Sequence, residues 1–145
     1  MAGKYDLGRF LSAQEYSYES ALREIKAGRK TSHWIWYIFP QLKGLGYSFN
    51  AELYGIDGIG EAEEYLAHPV LSQRLVEISR ALLSLECCDP YKVMGAPDDM
   101  KLRSSMTLFS CVKNADPVFD EVLEKFFDGK KDTRTLEMLG KKDMT

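Results

Sequence analysis

Pro69-Val70-Leu71-Ser72-Gln73-Arg74-Leu75-Val76-Glu77-Ile78-Ser79-Arg80-Ala81-Leu82-Leu83-Ser84-Leu85 decides the fold class. Leu71, Leu75, Ile78, Leu82 and Leu85 recur at intervals of 4, 3, 4 and 3, which lines apolar side chains along one face of an α-helix. Strand residues would alternate instead. Pro69 suits the first helical position, where an N–H would go unpaired anyway. His68 before it reads as a cap or a packing residue.

The same punctuation continues toward the C-terminus. Asp89-Pro90 opens a short turn of helix that Gly95 closes, and Pro97-Asp98-Asp99 starts another with Leu102, Met106 and Phe109 on one face. Asp116-Pro117 starts the next, where Phe119, Val122, Leu123, Phe126 and Phe127 keep helical spacing up to Gly129. Asp132 is positioned to cap a last helix around Leu136 and Leu139. The polar tail, residues 140–145, is expected to fray.

Toward the N-terminus, Ala62, Tyr65 and Leu66 form one short amphipathic face. Residues 41–60 carry repeated glycines and no steady period, so they read as a long irregular loop that Tyr47, Phe49 and Tyr54 should anchor. Short pairing within residues 41–58 stays open. Thr31 or Ser32 is placed to cap a short helix running to about Phe39, and Pro40 forbids its continuation. Tyr18, Leu22 and Ile25 mark another helix, which Gly28 ends as a left-handed cap. Asp6 should cap a first helix from Leu7, with Leu7, Phe10 and Leu11 inward and a kink near Tyr16. The predicted fold is all-α: residues 1–145 as a single compact domain of about seven helices with one long loop.

Composition narrows the classes of function. The chain has 145 residues and a formal charge of −3, enough to bury a core and too acidic for a general nucleic-acid binder. No apolar run approaches ~18 residues, so no membrane partner is expected. Met1 to Asp6 lacks the apolar segment of a signal peptide. Three cysteines, two of them adjacent at 87 and 88, make a poor disulfide framework. A cytoplasmic location follows as the expectation. His33 and His68 show no ligand spacing with cysteine, so no metal is expected, and no cofactor is assigned.

Chemistry concentrates in two segments. Residues 28–46 hold both tryptophans, the pair Arg29-Lys30, and His33. The plain reading of Trp34 to Phe39 is a central buried helix. Trp34 and Trp36 cannot point the same way on a helix, however, so one of them can line a cleft as a stacking face. The helix start, with Arg29 and Lys30 just before it, suits a phosphate. Gly28-Arg29-Lys30-Thr31-Ser32 lacks the second glycine and preceding strand of a P-loop, and the Gly44-Leu45-Gly46 and Gly58-Ile59-Gly60 triplets are turns.

The second segment, residues 97–107, sets Lys101, Ser104 and Ser105 at helical spacing on one side, with Asp98 or Asp99 as a cap. Together the two segments define a candidate site for a phosphorylated or nucleotide-like small molecule. Arg29, Lys30, Lys101 and Arg103 supply charge, and Trp34 or Trp36 a stacking face. Gln41, Ser48, Ser104, Ser105 and Thr107 supply hydrogen bonds. His33 has the reference pKa for proton transfer, yet neither it nor Glu52, Glu61 or Asp99 is singled out as catalytic. The competing reading is an interaction module that uses exposed aromatics from residues 34–54 as hot spots. A cleft between the segments favours the first, and a flat aromatic surface the second.

These residues also carry a family likeness. Asp6-Leu7 to Phe10, Gly28-Arg29-Lys30, His33-Trp34, Trp36, Phe39-Pro40-Gln41, Gly44-Leu45-Gly46 and Ser48 resemble the signature of domain of unknown function 1810. Glu61-Ala62, Tyr65-Leu66, His68-Pro69-Val70-Leu71, Arg74-Leu75, Asp98-Asp99 and Lys101 to Phe109 fit the same pattern. The resemblance covers nearly the whole chain and implies a mainly helical single domain with no established activity. Members are sometimes labelled calpastatin, an inhibitor that works through disordered repeats. This chain is non-repetitive and rich in core positions, and the label is discounted. From Glu61 onward the helices are loosely similar to the NADAR family, linked to NAD and ADP-ribose metabolism. That likeness implies an alternative function, an N-glycosidase using a carboxylate and a water in NAD, ADP-ribose or riboflavin-type metabolism, and it carries over no catalytic residue.

Overall fold

The structure, a computed structural model, describes residues 5–140. The N-terminal residues 1–4, and all of the expected frayed tail except Gly140, lie outside the described residues. The chain is helical: α1 (Gly8–Glu15), α2 (Tyr18–Lys26), α3 (Ile35–Ile38), α4 (Phe49–Leu53), α5 (Ile59–Ala67), α6 (Pro69–Leu83), α7 (Pro90–Met94), α8 (Asp98–Ser110), α9 (Val118–Phe127) and α10 (Thr133–Met138). These are ten among the described residues rather than about seven, because several helices are too short for a period to show. No described helix is long and apolar enough to cross a membrane.

Side-chain caps start four of these helices, α4, α6, α7 and α10. The His68 Nδ1 accepts from the Val70 and Leu71 amides at 3.2 and 3.3 Å, starting α6. Asp89 accepts from the Tyr91 amide, and Gly95, at φ +77°, ends α7. Asp132 accepts from the Thr135 amide at 3.0 Å to start α10. The first helix departs from expectation. It begins at Gly8, and Asp6 offers its backbone carbonyl to Arg9 rather than its carboxylate to the helix end.

One helix lies at the centre. α8 is packed by α3, α5, α7, α9 and α10, and Leu102 and every residue from Ser104 to Phe109 are buried. Leu102, Met106 and Phe109 join Tyr65, Phe119 and Val122 in one apolar cluster that runs from Phe10 to Phe126. The α6 stripe lies in that cluster through Leu71, Leu75, Ile78 and Leu82. Each such side chain, fully buried, contributes roughly 1.5–3 kcal/mol. Gln14, also buried, donates to the Tyr37 carbonyl at 2.8 Å and the Tyr65 hydroxyl at 3.1 Å. Burial pushes the Tyr65 hydroxyl above the ordinary phenol range.

The segment expected to be irregular, residues 41–60, is more ordered than its composition suggests. Leu42 and Ile56 form an isolated parallel bridge, and Ser48 caps α4 by accepting from the Ala51 amide at 3.1 Å. A single guanidinium holds the far end. Arg9 donates to the Leu53 and Gly55 carbonyls at 2.8 and 2.9 Å and to the buried Glu61 carboxylate at 2.7 Å. The other Glu61 oxygen accepts from the Asp57 amide at 2.8 Å. Of the three aromatics expected to anchor the segment, only Tyr54 does, packing near Tyr37 and Phe10 at 5.2 and 6.0 Å. Tyr47 and Phe49 are each 79% exposed.

Gly55 sits where this segment crosses itself. A Cβ there would lie 2.6 Å from the Lys43 Cα and 2.8 Å from the Ala51 carbonyl oxygen. Both neighbours are backbone and cannot swing away. Gly55→Ala is therefore expected to lower the urea midpoint by the equivalent of about 1–3 kcal/mol with an unchanged m-value. A midpoint equal to wild type would contradict this crossing.

Candidate functional site

Glu24, on α2, shapes the first segment. Gly28, at φ +87°, turns the chain back along the helix it has just left. The Glu24 carboxylate then accepts from the Thr31 amide at 2.7 Å, the Ser32 amide at 3.0 Å, the Ser32 hydroxyl at 2.7 Å and the Trp34 indole N–H at 2.9 Å. Thr31 and Ser32 therefore do not cap α3. The Ser32 hydroxyl is turned toward Glu24 instead, and α3 starts after Trp34 with no side-chain cap. Burial alone would raise the Glu24 carboxyl, but the hydrogen bonds from Ser32, Thr31 and Trp34 outweigh it and hold the group at about 2.

Beyond this turn the two segments meet. The Lys30 amide donates to the Val93 carbonyl at 2.7 Å, and its ammonium reaches the Asp98 carboxylate at 2.7 Å with only 6% of the side chain exposed. Lys101, one turn along α8, approaches the other Asp98 oxygen at 3.7 Å. Lys30 also lies over the Trp34 ring and Lys101 over the Trp36 ring, each at 5.1 Å. The result is an alternating row: indole, ammonium, carboxylate, ammonium, indole. Contacts of this kind are worth about 0.5–1 kcal/mol when exposed and more when desolvated.

The remaining candidates divide. Gln41 reaches the row's far end, where it lines a small cavity with Trp36, Asn50, Tyr54 and Lys101. Arg29 and His33 are exposed on the turn, and Ser48 caps α4. Arg103 donates to the Lys130 and Lys131 carbonyls at 2.7 and 3.0 Å. Ser104 donates to Asp132 at 3.3 Å, and the Thr107 hydroxyl accepts from the Asp132 amide at 2.9 Å. These three hold α10 against α8, on a different face from Lys101. Ser105 is fully buried, and its hydroxyl has no hydrogen-bond partner within the chain. The Trp36 indole N–H is likewise buried and unpartnered.

Sequence reasoning missed Glu24 and Asn50 and gave Asp98 only a capping role. Glu24 looks like one more charge on a solvated helix face, and no spacing signals a chain reversal that folds four donors onto it.

The cavity at the row's end is about 10 Å³, room for roughly one water. A larger concavity of about 430 Å³ opens over Leu66, Val76, Val112 and Phe119, with Glu63 and Asp116 at its rim. None of its lining residues comes from 29–48 or 97–107, and neither unpartnered donor belongs to it. Among the described residues no group of three or more His, Cys, Asp or Glu side chains is arranged to hold a metal ion.

Because the folded Glu24 carboxyl sits at about 2 against an ordinary 4.5, the unfolded chain binds more protons between those values. The stability Glu24 contributes is then fully present above about 4.5 and lost as pH falls toward 2. Glu24→Gln should destabilise the protein at neutral pH, by an amount that shrinks on acidification through this window. A wild-type-to-variant difference that stays constant from neutral pH down to about 2 would contradict this role.

A crystal structure of a conserved hypothetical protein from Mycobacterium tuberculosis matches with a TM-score of 0.93 at 42% sequence identity, covering 95% of this chain and 99% of that one. No curated protein matches the chain. The family described as protein of unknown function, DUF1810, matches over residues 4–139. The seam of α3 and α8, the Glu24 turn and the Arg9 clasp are therefore features of a chain that belongs to the DUF1810 family.

Proposed function

We propose that this chain is a small-molecule-binding protein whose site is the seam between α3 and α8 beneath α4, and whose ligand is phosphorylated or nucleotide-like. One observation carries this reading: Lys30 and Lys101, far apart in sequence, converge on the single carboxylate of Asp98, each against a tryptophan ring. Two ammonium groups against one carboxylate leave a local positive charge beside a flat aromatic face, which suits a phosphate attached to a planar base. Typical ligand sites hold roughly 300–1,000 Å³, so binding here requires α4 to move aside. Only Ala51 among the α4 residues is buried. A cytoplasmic setting belongs to the same reading, with Cys87, Cys88 and Cys111 as free thiols. No metal, cofactor, nucleic-acid or membrane partner is part of it.

Tyr47 and Phe49, both strongly exposed, favour a second reading as a protein-interaction module. An ADP-ribose-like substrate with N-glycosidic cleavage ranks lower, because the carboxylate at the seam, Asp98, is engaged by two lysines.

A thermal-shift series with NAD, ADP-ribose, riboflavin precursors and sugar phosphates tests the first reading. A ligand at ~100 times its dissociation constant should add about 2.7 kcal/mol of stability. Lys101→Ala should reduce the shift. No shift with any compound would favour the interaction module.

A further inference from the structure

The concavity over Leu66, Val76, Val112 and Phe119 holds about 430 Å³, within the roughly 300–1,000 Å³ of typical ligand sites. It shares no residue with the small cavity at Trp36. Its walls come from α5, α6, the start of α9 and the turn that joins α8 to α9. Val112 and Phe119 belong to the main apolar cluster, and Leu66 and Val76 pack against it. The floor is therefore the outer side of the core, held by the same contacts that hold the fold. Unlike the seam, it offers this volume without any helix moving.

Helical spacing brings charge to this floor. Glu63, Leu66 and Ala67 lie three and four residues apart on α5, so Glu63 shares a face with the apolar lining. Glu64 follows it and lines an adjoining concavity that has Glu63 and Ala67 in common with the first. Neither glutamate forms an ion pair among the described residues. Asp116, the third carboxylate here, is already engaged. It accepts from the Val118 amide at 2.8 Å and from Arg80 at 3.3 Å. Lys113 is the one basic residue in the lining, and it too has no ion pair among the described residues. Two uncommitted carboxylates against one uncommitted ammonium leave a negative surplus beside an apolar floor.

The matching ligand carries hydrocarbon with a positive charge at one end. We propose that this concavity is a second ligand site, separate from the seam, that takes an amphiphilic amine. The hydrocarbon or aromatic body covers Leu66, Val76 and Val112, and the ammonium meets Glu63 and Glu64. The body supplies most of the affinity by leaving water. The carboxylates supply the choice of charge, because solvent-exposed ion pairs are individually weak and are screened by salt. The same surplus disfavours a phosphorylated ligand here, so the two sites select opposite signs of charge.

Phenethylamine, phenylethanol and phenylacetate share a ring and differ in the charge they carry. Titration of the full isotope-labelled chain with each, followed by amide chemical shifts, tests the proposal. The amine should shift amides within residues 63–67, 72–76 and 112–119 and bind about tenfold more tightly than the alcohol, with the acid weakest. Added salt should erode the advantage of the amine and leave the alcohol unchanged. The double variant Glu63→Gln, Glu64→Gln, at two positions that are not buried, should bring the amine down to the affinity of the alcohol. It should leave any binding of ADP-ribose at the seam as it is in wild type. Equal affinities for amine and alcohol in wild type would overturn the proposal, as would tightest binding of the acid. So would an unchanged amine affinity in the double variant, amide shifts confined to other parts of the chain, or no shift with millimolar amine.

Discussion

A helix buried along most of its length must find partners for the polar groups it carries, and α8 carries many. Five other helices pack on it, yet its sequence includes Asp98, Lys101, Arg103, Ser104, Ser105 and Thr107. A buried polar group without a partner is costly, so the arrangement around α8 reads as a set of solutions. Arg103, Ser104 and Thr107 are satisfied by drawing residues 130–132 and α10 onto one face. Asp98 and Lys101 are satisfied by Lys30 and the rings of α3 and its neighbour on another. The apolar third face meets the body of the protein through Leu102, Met106 and Phe109. Ser105 alone is left over.

The same logic governs the periphery. Short helices such as α3 and α4 cannot stand by propensity alone, and each is held by one charged side chain from elsewhere. Glu24 fixes the entry to α3 with four hydrogen bonds, and Arg9 fixes the exit from α4 together with Glu61. Both anchors belong to the first two helices. The N-terminal pair therefore does more than fill the core: it sets the positions of the Trp34–Trp36 segment and of α4, whose Asn50 and Ala51 line the small cavity at Trp36.

Much of this was legible in the sequence. The leucine spacing of α6, the His68-Pro69 and Asp89-Pro90 starts, and the Asp132 cap all have local causes, and local causes leave local marks. Composition points to a meeting of residues 29–41 with 98–107, and the structure joins them only in part: Lys30 and Trp36 meet Asp98 and Lys101, while Arg103, Ser104 and Thr107 bond residues 130–132. The geometry of that meeting was not legible, because the carboxylate joining them, Asp98, also has the signature of an ordinary helix cap. Tyr47 and Phe49 looked like anchors and are exposed, while Arg9, with no distinguishing pattern around it, does the anchoring. Which hydroxyl on α8 would be left without a partner depends on where α10 docks, and no window of sequence holds that information. The grouping of Ser104 with Ser105 failed for this reason: adjacent residues on a helix point about 100° apart, and α10 takes one of them.

If α4 is a flap over a ligand seam, its opening must be visible in amide hydrogen exchange. In the free protein, residues 49–53 should exchange by local opening far faster than the core of α8. ADP-ribose at saturating concentration should slow exchange at residues 36–54 and at 98–105 and leave α9 unchanged. Protection confined to the concavity over Val76 and Phe119, or none anywhere, would contradict the account.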